Sequence, residues 1–290
     1  MTLRERVGVP VQRVVDAGSR TYGRLTVHQR ILPDVLVCGG PSPAAVLLQR
    51  LMASHPAILK PLRNSATGYF DDGYHRGVTW YRTHFATRSE VARVTRQTGL
   101  TARAFETSPD YLYHPLAAER FARDLPGVQL VVLVEDPVER AVAQHRQEVA
   151  AGFEKLTGLD AAVAAEPDRL AGEAERMRRD PHYDSFSYRH HAYRLRGQYA
   201  DHLERVNRLV PRDRILVLDA GDLMADPQAG RDRLLRFLRL PHRGRARRRR
   251  PRTDIASSCP ATLRADLRNW FTEYDLRLGD WLGDTPSWRR

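Results

Sequence analysis

Val128-Gln129-Leu130-Val131-Val132-Leu133-Val134 is an almost uninterrupted apolar run, and Asp136-Pro137 breaks it. A strand with one wet face alternates apolar and polar residues; this run does not, so it reads as a strand covered on both faces. Val138, Ala141, Val142, His145 and Val149 then follow at helical spacing. The same grammar appears earlier. Val35-Leu36-Val37-Cys38 is ended by Gly39-Gly40, and Ser42-Pro43 supplies a helix N-cap with proline at the first helical position. Val46, Leu47, Leu48, Leu51 and Met52 give that helix one apolar face. Ile215-Leu216-Val217-Leu218 is a third strand candidate, with a helix from about Tyr193 to Leu209 before it. Strands alternating with helices predict an α/β fold with a central parallel sheet flanked by helices.

The division expected is a helical N-terminal extension over residues 1–32 and one domain over 33–290, with a peripheral helical stretch at 154–185 and an exposed arginine-rich loop at 243–258. That loop decides how the net charge of +12 is read: seven arginines and no acid lie between Arg243 and Arg252, so the rest of the chain carries only +5. A short basic tract binds phosphate backbones non-specifically. No nucleic-acid recognition fold accompanies it, so nucleic acid is disfavoured as a partner. Cys38 and Cys259 are far apart and make no metal-ligand spacing, so no metal is expected. No apolar stretch reaches the roughly 18 residues that span a bilayer, and no secretory h-region opens the chain, which makes the cytoplasm the expected location.

Four segments in order resemble the PAPS-dependent sulfotransferases, in particular the carbohydrate (heparan sulfate) type and its bacterial branch. They are Tyr69-Phe70-Asp71 with Tyr74-His75-Arg76-Gly77 and Trp80-Tyr81-Arg82; Glu106 to Pro115; Asp136-Pro137-Val138-Glu139-Arg140-Ala141; and Arg196-Gly197-Gln198-Tyr199. The resemblance covers roughly residues 33–242 and 260–288. It implies a P-loop-like three-layer domain, PAPS (or its product PAP) as cofactor, and transfer of a sulfonate to a hydroxyl or amine of a carbohydrate, lipid or other small acceptor.

The residues that the resemblance assigns to that chemistry are largely replaced. In-line sulfonate transfer needs cations and N–H donors at the nucleotide phosphates and a base on the acceptor. The family's phosphate loop falls on Gly39, Gly40 and Ser42, where Ser42 stands in place of a lysine, Ala45 and Val46 replace two hydroxyl residues, and Pro41 and Pro43 remove N–H donors. Glu135 and Ala143 replace the arginine and serine of the 3′-phosphate site, and Ala66 stands at the family's base position. Thr107 replaces a lysine and Ala192 a serine. Arg140, Arg196, Gly197 and Tyr199 remain as cofactor-side candidates, with Glu106 and His75 as replacement bases. Trp80, Tyr81, Tyr111 and Tyr113 read as core or cleft-wall aromatics. Three functions follow as expectations: a pseudoenzyme keeping the scaffold as a binding or regulatory module, with an active paralogue as one partner it could serve; an enzyme whose PAPS site is rebuilt from arginines; or a basic polyanion-binding module.

Overall fold

A computed structural model describes residues 23–62, 66–243 and 259–290. Its centre is a parallel sheet of β1 (Val35–Cys38), β2 (Ile58–Leu59), β3 (Arg103–Ser108), β4 (Gln129–Val134) and β5 (Ile215–Asp219), in the spatial order β2-β3-β1-β4-β5. All four residues of β1 and five of the six in β4 are buried, as their unbroken apolar sequences require.

Alternation along the strands builds two cores. Leu36, Cys38, Leu130, Val132 and Val134 face one layer, with Tyr69, Phe70, Tyr81, Tyr111 and Phe121. Val35, Val37, Val131 and Leu133 face the other, where α1 (Pro43–Ala53) packs through Leu47, Leu48, Leu51 and Met52. The first layer also holds α2 (Gly77–Arg82), α4 (Ala117–Asp124) and, across from the sheet, α9 (Tyr199–Asn207) and α13 (Thr272–Leu282). The second holds α10 (Ala220–Ala225) and α11 (Pro227–Phe237), while α3 (Arg88–Thr98) precedes β3. A third cluster joins α5 (Pro137–Ala151) to α6 (Leu159–Leu170) and α12 (Ala261–Trp270) through Val138, Ala141, Ala162, Val163 and Leu267. A fourth joins α7 (Glu173–Arg179) to α8 (Phe186–His190) through Met177 and Tyr188.

The expected strands and caps are present, and three differences are informative. The helix predicted from Tyr193 begins at Tyr199; before it lies a 3-10 turn, Leu195–Gly197. The cause is non-local: Glu166 accepts hydrogen bonds from the N–H groups of Arg194 and Leu195, fixing them outside a helix. Residues 154–185 are helical as expected, but Leu159, Ala162 and Val163 are core members rather than peripheral. The end of the predicted extension is also tied down: Arg30 is fully buried, with its guanidinium on the Phe85 carbonyl and the Thr26 hydroxyl. Residues 1–22 and the arginine run from 244 lie outside the described residues. Arg243, at its start, donates to the Thr98 carbonyl.

Candidate functional site

β1 lies between β3 and β4, so the chain's connections diverge on either side of its C-terminal end, the position where open α/β sheets place ligands. Gly39 and Gly40 leave β1 there. β4 outruns β1: Cys38 pairs with Val132, so Leu133 and Val134 continue beside the glycines. A Cβ on Gly39 would lie 3.0 Å from the Leu133 Cβ and 3.1 Å from its carbonyl oxygen, which explains the absence of a side chain there. The next residue, Glu135, brings its carboxylate over the loop. Its Oε1 sits 3.0 Å from where a Gly40 Cβ would be, and the Ser42 side chain lies near the carboxylate. Ser42 in turn caps α1, its Oγ accepting from the Ala45 N–H at 3.3 Å. Burial raises the Glu135 pKa, opposed by the charge of Arg140 and the Ser42 hydroxyl.

The cations assigned to this side are committed elsewhere. Arg140 donates to the Tyr193 carbonyl and, at 2.7 Å, to Gln144 Oε1. Arg196 pairs with Asp110, donates to the Arg189 carbonyl at 2.8 Å, and lies 4.5 Å over the Tyr113 ring. Tyr199 is buried, and burial raises its pKa well above that of a free phenol. Gly197 serves packing: an added Cβ would come within 2.7 Å of Phe271 and 2.8 Å of Pro137. Gly197→Ala is therefore expected to cost about 1–3 kcal/mol through overpacking, read as a lower denaturation midpoint. Ala143 is exposed on α5 and offers no hydroxyl. A phosphate at α1 would meet a carboxylate, two prolines without N–H groups and no lysine, so these residues do not fit the nucleotide.

Across the sheet end, the remaining candidates separate. Glu106 is 2 % exposed because its register partner is Leu36, which turns it into the aromatic core. Its carboxylate accepts from the Thr67 N–H at 3.1 Å, from the hydroxyls of Thr67 and Tyr81, and from Tyr111 at 3.0 Å. That ring of donors makes it an anchor for the Thr67–Phe70 segment, and it does not line the cleft described next. His75 is exposed in a 3-10 turn, its Nδ1 3.0 Å from the Asp72 carbonyl oxygen.

The cleft is lined by Asp71, Asp110, Tyr113, His114, Tyr188 and Arg196, among others, and His75 borders its neighbour on the other side of Asp71 and His114. Asp71 is the residue that sequence reasoning passed over. It is 7 % exposed, accepts from the Asp72 N–H at 2.6 Å and stands 3.4 Å from Ser108 Oγ at the end of β3. Burial, then the charges of Asp72 and Asp110, push its pKa up to about 7. Gly68 makes room for it at φ +61, where a Cβ would lie 2.8 Å from Asp71 Oδ1. His114 is held neutral, its pKa lowered to about 3 by burial and Arg120, and its Nδ1 accepts from the Leu116 N–H. A carboxyl that titrates near neutrality can give or take a proton. The clue in the sequence was an acid directly after the buried pair Tyr69-Phe70, but its neighbour Asp110 is 39 residues away. Among the described residues, no group of three or more His, Cys, Asp or Glu side chains could hold a metal ion, and no helix is long and apolar enough to cross a membrane.

Comparison with known proteins gives a consistent picture. No family model matches the chain. It is 27 % identical over 223 residues to human bifunctional heparan sulfate N-deacetylase/N-sulfotransferase 3, covering 73 % of this chain and 23 % of that protein. It is 23 % identical over 228 residues to human heparan sulfate glucosamine 3-O-sulfotransferase 5, covering 78 % of this chain and 59 % of that one. The chain thus spans about a quarter of the first relative and under two thirds of the second. Among solved structures, a sulfotransferase from Alicyclobacillus acidocaldarius superposes with a TM-score of 0.59 at 22 % identity, over 90 % of this chain and 100 % of that one, and shares the fold.

Proposed function

We propose that this chain, a member of the sulfotransferase family, is a pseudoenzyme: a binding module that keeps the acceptor half of the fold and has lost the nucleotide half. The observation carrying this reading is that the two family cations still present are spent inside the fold, Arg140 on the Tyr193 carbonyl and the Gln144 amide oxygen and Arg196 on Asp110 and the Arg189 carbonyl. Freeing either would break buried contacts, and a guanidinium left unpaired in the interior is costly. Acceptor binding falls to the mouth of the Asp71–His114–Tyr113 cleft, where the Asp71 carboxyl offers a hydrogen-bond partner to a hydroxyl or amine, that of a carbohydrate or lipid headgroup included.

Bound ligand stabilises a fold by mass action, by about 2.7 kcal/mol at a hundredfold excess over Kd. PAP at 1 mM is therefore expected to leave the melting temperature unchanged to within about 0.5 °C. A rise of several degrees would overturn the reading and return the chain to active PAPS chemistry.

A further inference from the structure

The disagreement between the loop and the nucleotide has a specific form. The N-terminal turn of an eleven-residue helix offers N–H groups and the positive end of a dipole. In this chain an oxyanion, the carboxylate of Glu135, already lies over the loop that leads into that turn. Three features position it. The register of β4 against β1 delivers residue 135 to the loop. The missing side chain at Gly40 leaves the space in which Oε1 lies. The Ser42 hydroxyl, whose oxygen accepts from the Ala45 N–H at 3.3 Å, lies beside the carboxylate and opposes the rise in its pKa, which places the anion next to the helix turn.

We propose that Glu135 is a resident anion, occupying from within the chain the cradle in which this fold would hold an external phosphoryl or sulfonyl group. This deepens the reading above by giving the lost site its occupant: the loop is blocked rather than merely stripped. An external oxyanion reaches α1 only when the Glu135 charge is removed, and what it then meets is the helix N-terminus without the N–H groups that Pro41 and Pro43 lack.

The test uses the full chain, with inorganic phosphate and PAP as separate probes in titration calorimetry. Glu135→Ala and the near-isosteric Glu135→Gln are compared with wild type, and Glu119→Ala, an exposed acid on α4, makes the same charge change elsewhere. Removing one repelling charge at contact distance is expected to tighten phosphate binding at least tenfold in Glu135→Ala, less in Glu135→Gln, and not at all in Glu119→Ala. A stronger gain for PAP than for phosphate would assign the cradle to a nucleotide, and equal gains to any oxyanion; both support a blocked cradle. The inference is overturned if both Glu135 variants melt like wild type yet bind phosphate no better, or if Glu119→Ala gains as much. Should Glu135→Ala fail to fold, Glu135→Gln decides alone. Failure of the pseudoenzyme reading looks different: there, wild type itself binds PAP.

Discussion

Replacing Glu106 with alanine is expected to cost the fold about 3–5 kcal/mol, a sizeable part of the 5–15 kcal/mol by which domains are stable. The loss is large because the carboxylate accepts from Tyr81, Tyr111 and Thr67 at once, and Tyr81 and Tyr111 are fully buried. Each orphaned donor forfeits a hydrogen bond it cannot remake with water, about 1–3 kcal/mol apiece. The sum is tempered by relief from desolvating a carboxylate, the same burial that raises the Glu106 pKa. Glu106→Gln keeps an oxygen for the hydroxyls and is expected to cost roughly half as much. Urea unfolding of both variants measures this. If Glu106→Ala unfolds within 0.5 kcal/mol of wild type (the scatter of a surface substitution), the hydrogen-bonded ring is not an anchor.

The second large effect concerns acid and base. Asp71 ionises near pH 7 when folded, whereas a free aspartate does so near 4. Between those values the folded chain binds more protons than the unfolded one, so stability falls as pH rises through the window. The full difference is worth about 4 kcal/mol, complete above pH 7. Asp71→Asn removes the titration and retains an amide for Ser108 and for the Asp72 N–H. The variant should therefore be more stable than wild type at pH 8 and comparable at pH 4. Denaturation midpoints across pH 4–8 test this; parallel curves for the two proteins would sink it. The same measurement bears on function, since a flat wild-type curve would leave the cleft without its neutral-pH proton donor.

How much of this was legible beforehand varies with the range of the interactions. The units around Val35–Cys38 and Val128–Val134 announce themselves, because a strand buried on both faces leaves an apolar run and a Pro-capped helix leaves a short-range signature. β3 is quieter. Its sequence, Arg103 to Ser108, carries a glutamate in the middle, and only the three-hydroxyl ring around Glu106 explains how that charge is accommodated. The two residues of β2 are too few to show any period. At the site, Ser42, Ala66, Glu135 and Ala143 were visible as letters. That Glu135 would touch Gly40 and Ser42 was not, since the contact depends on β4 running two residues past β1. Asp71 was missed for the same reason: its pKa is set by burial and by Asp110, through the folded chain.

The Ser42–Glu135 contact also imposes an order on any repair of the loop. A lysine restored at position 42 while Glu135 remains would find a carboxylate already within reach and close an ion pair with it. Such a pair would hold the loop shut more firmly than the serine does, so the first step toward an ancestral-type loop would carry the protein further from it. Position 135 has to change before position 42 can matter. Engineering that starts from the lysine walks into a dead end, whereas one that starts at position 135 opens the loop first.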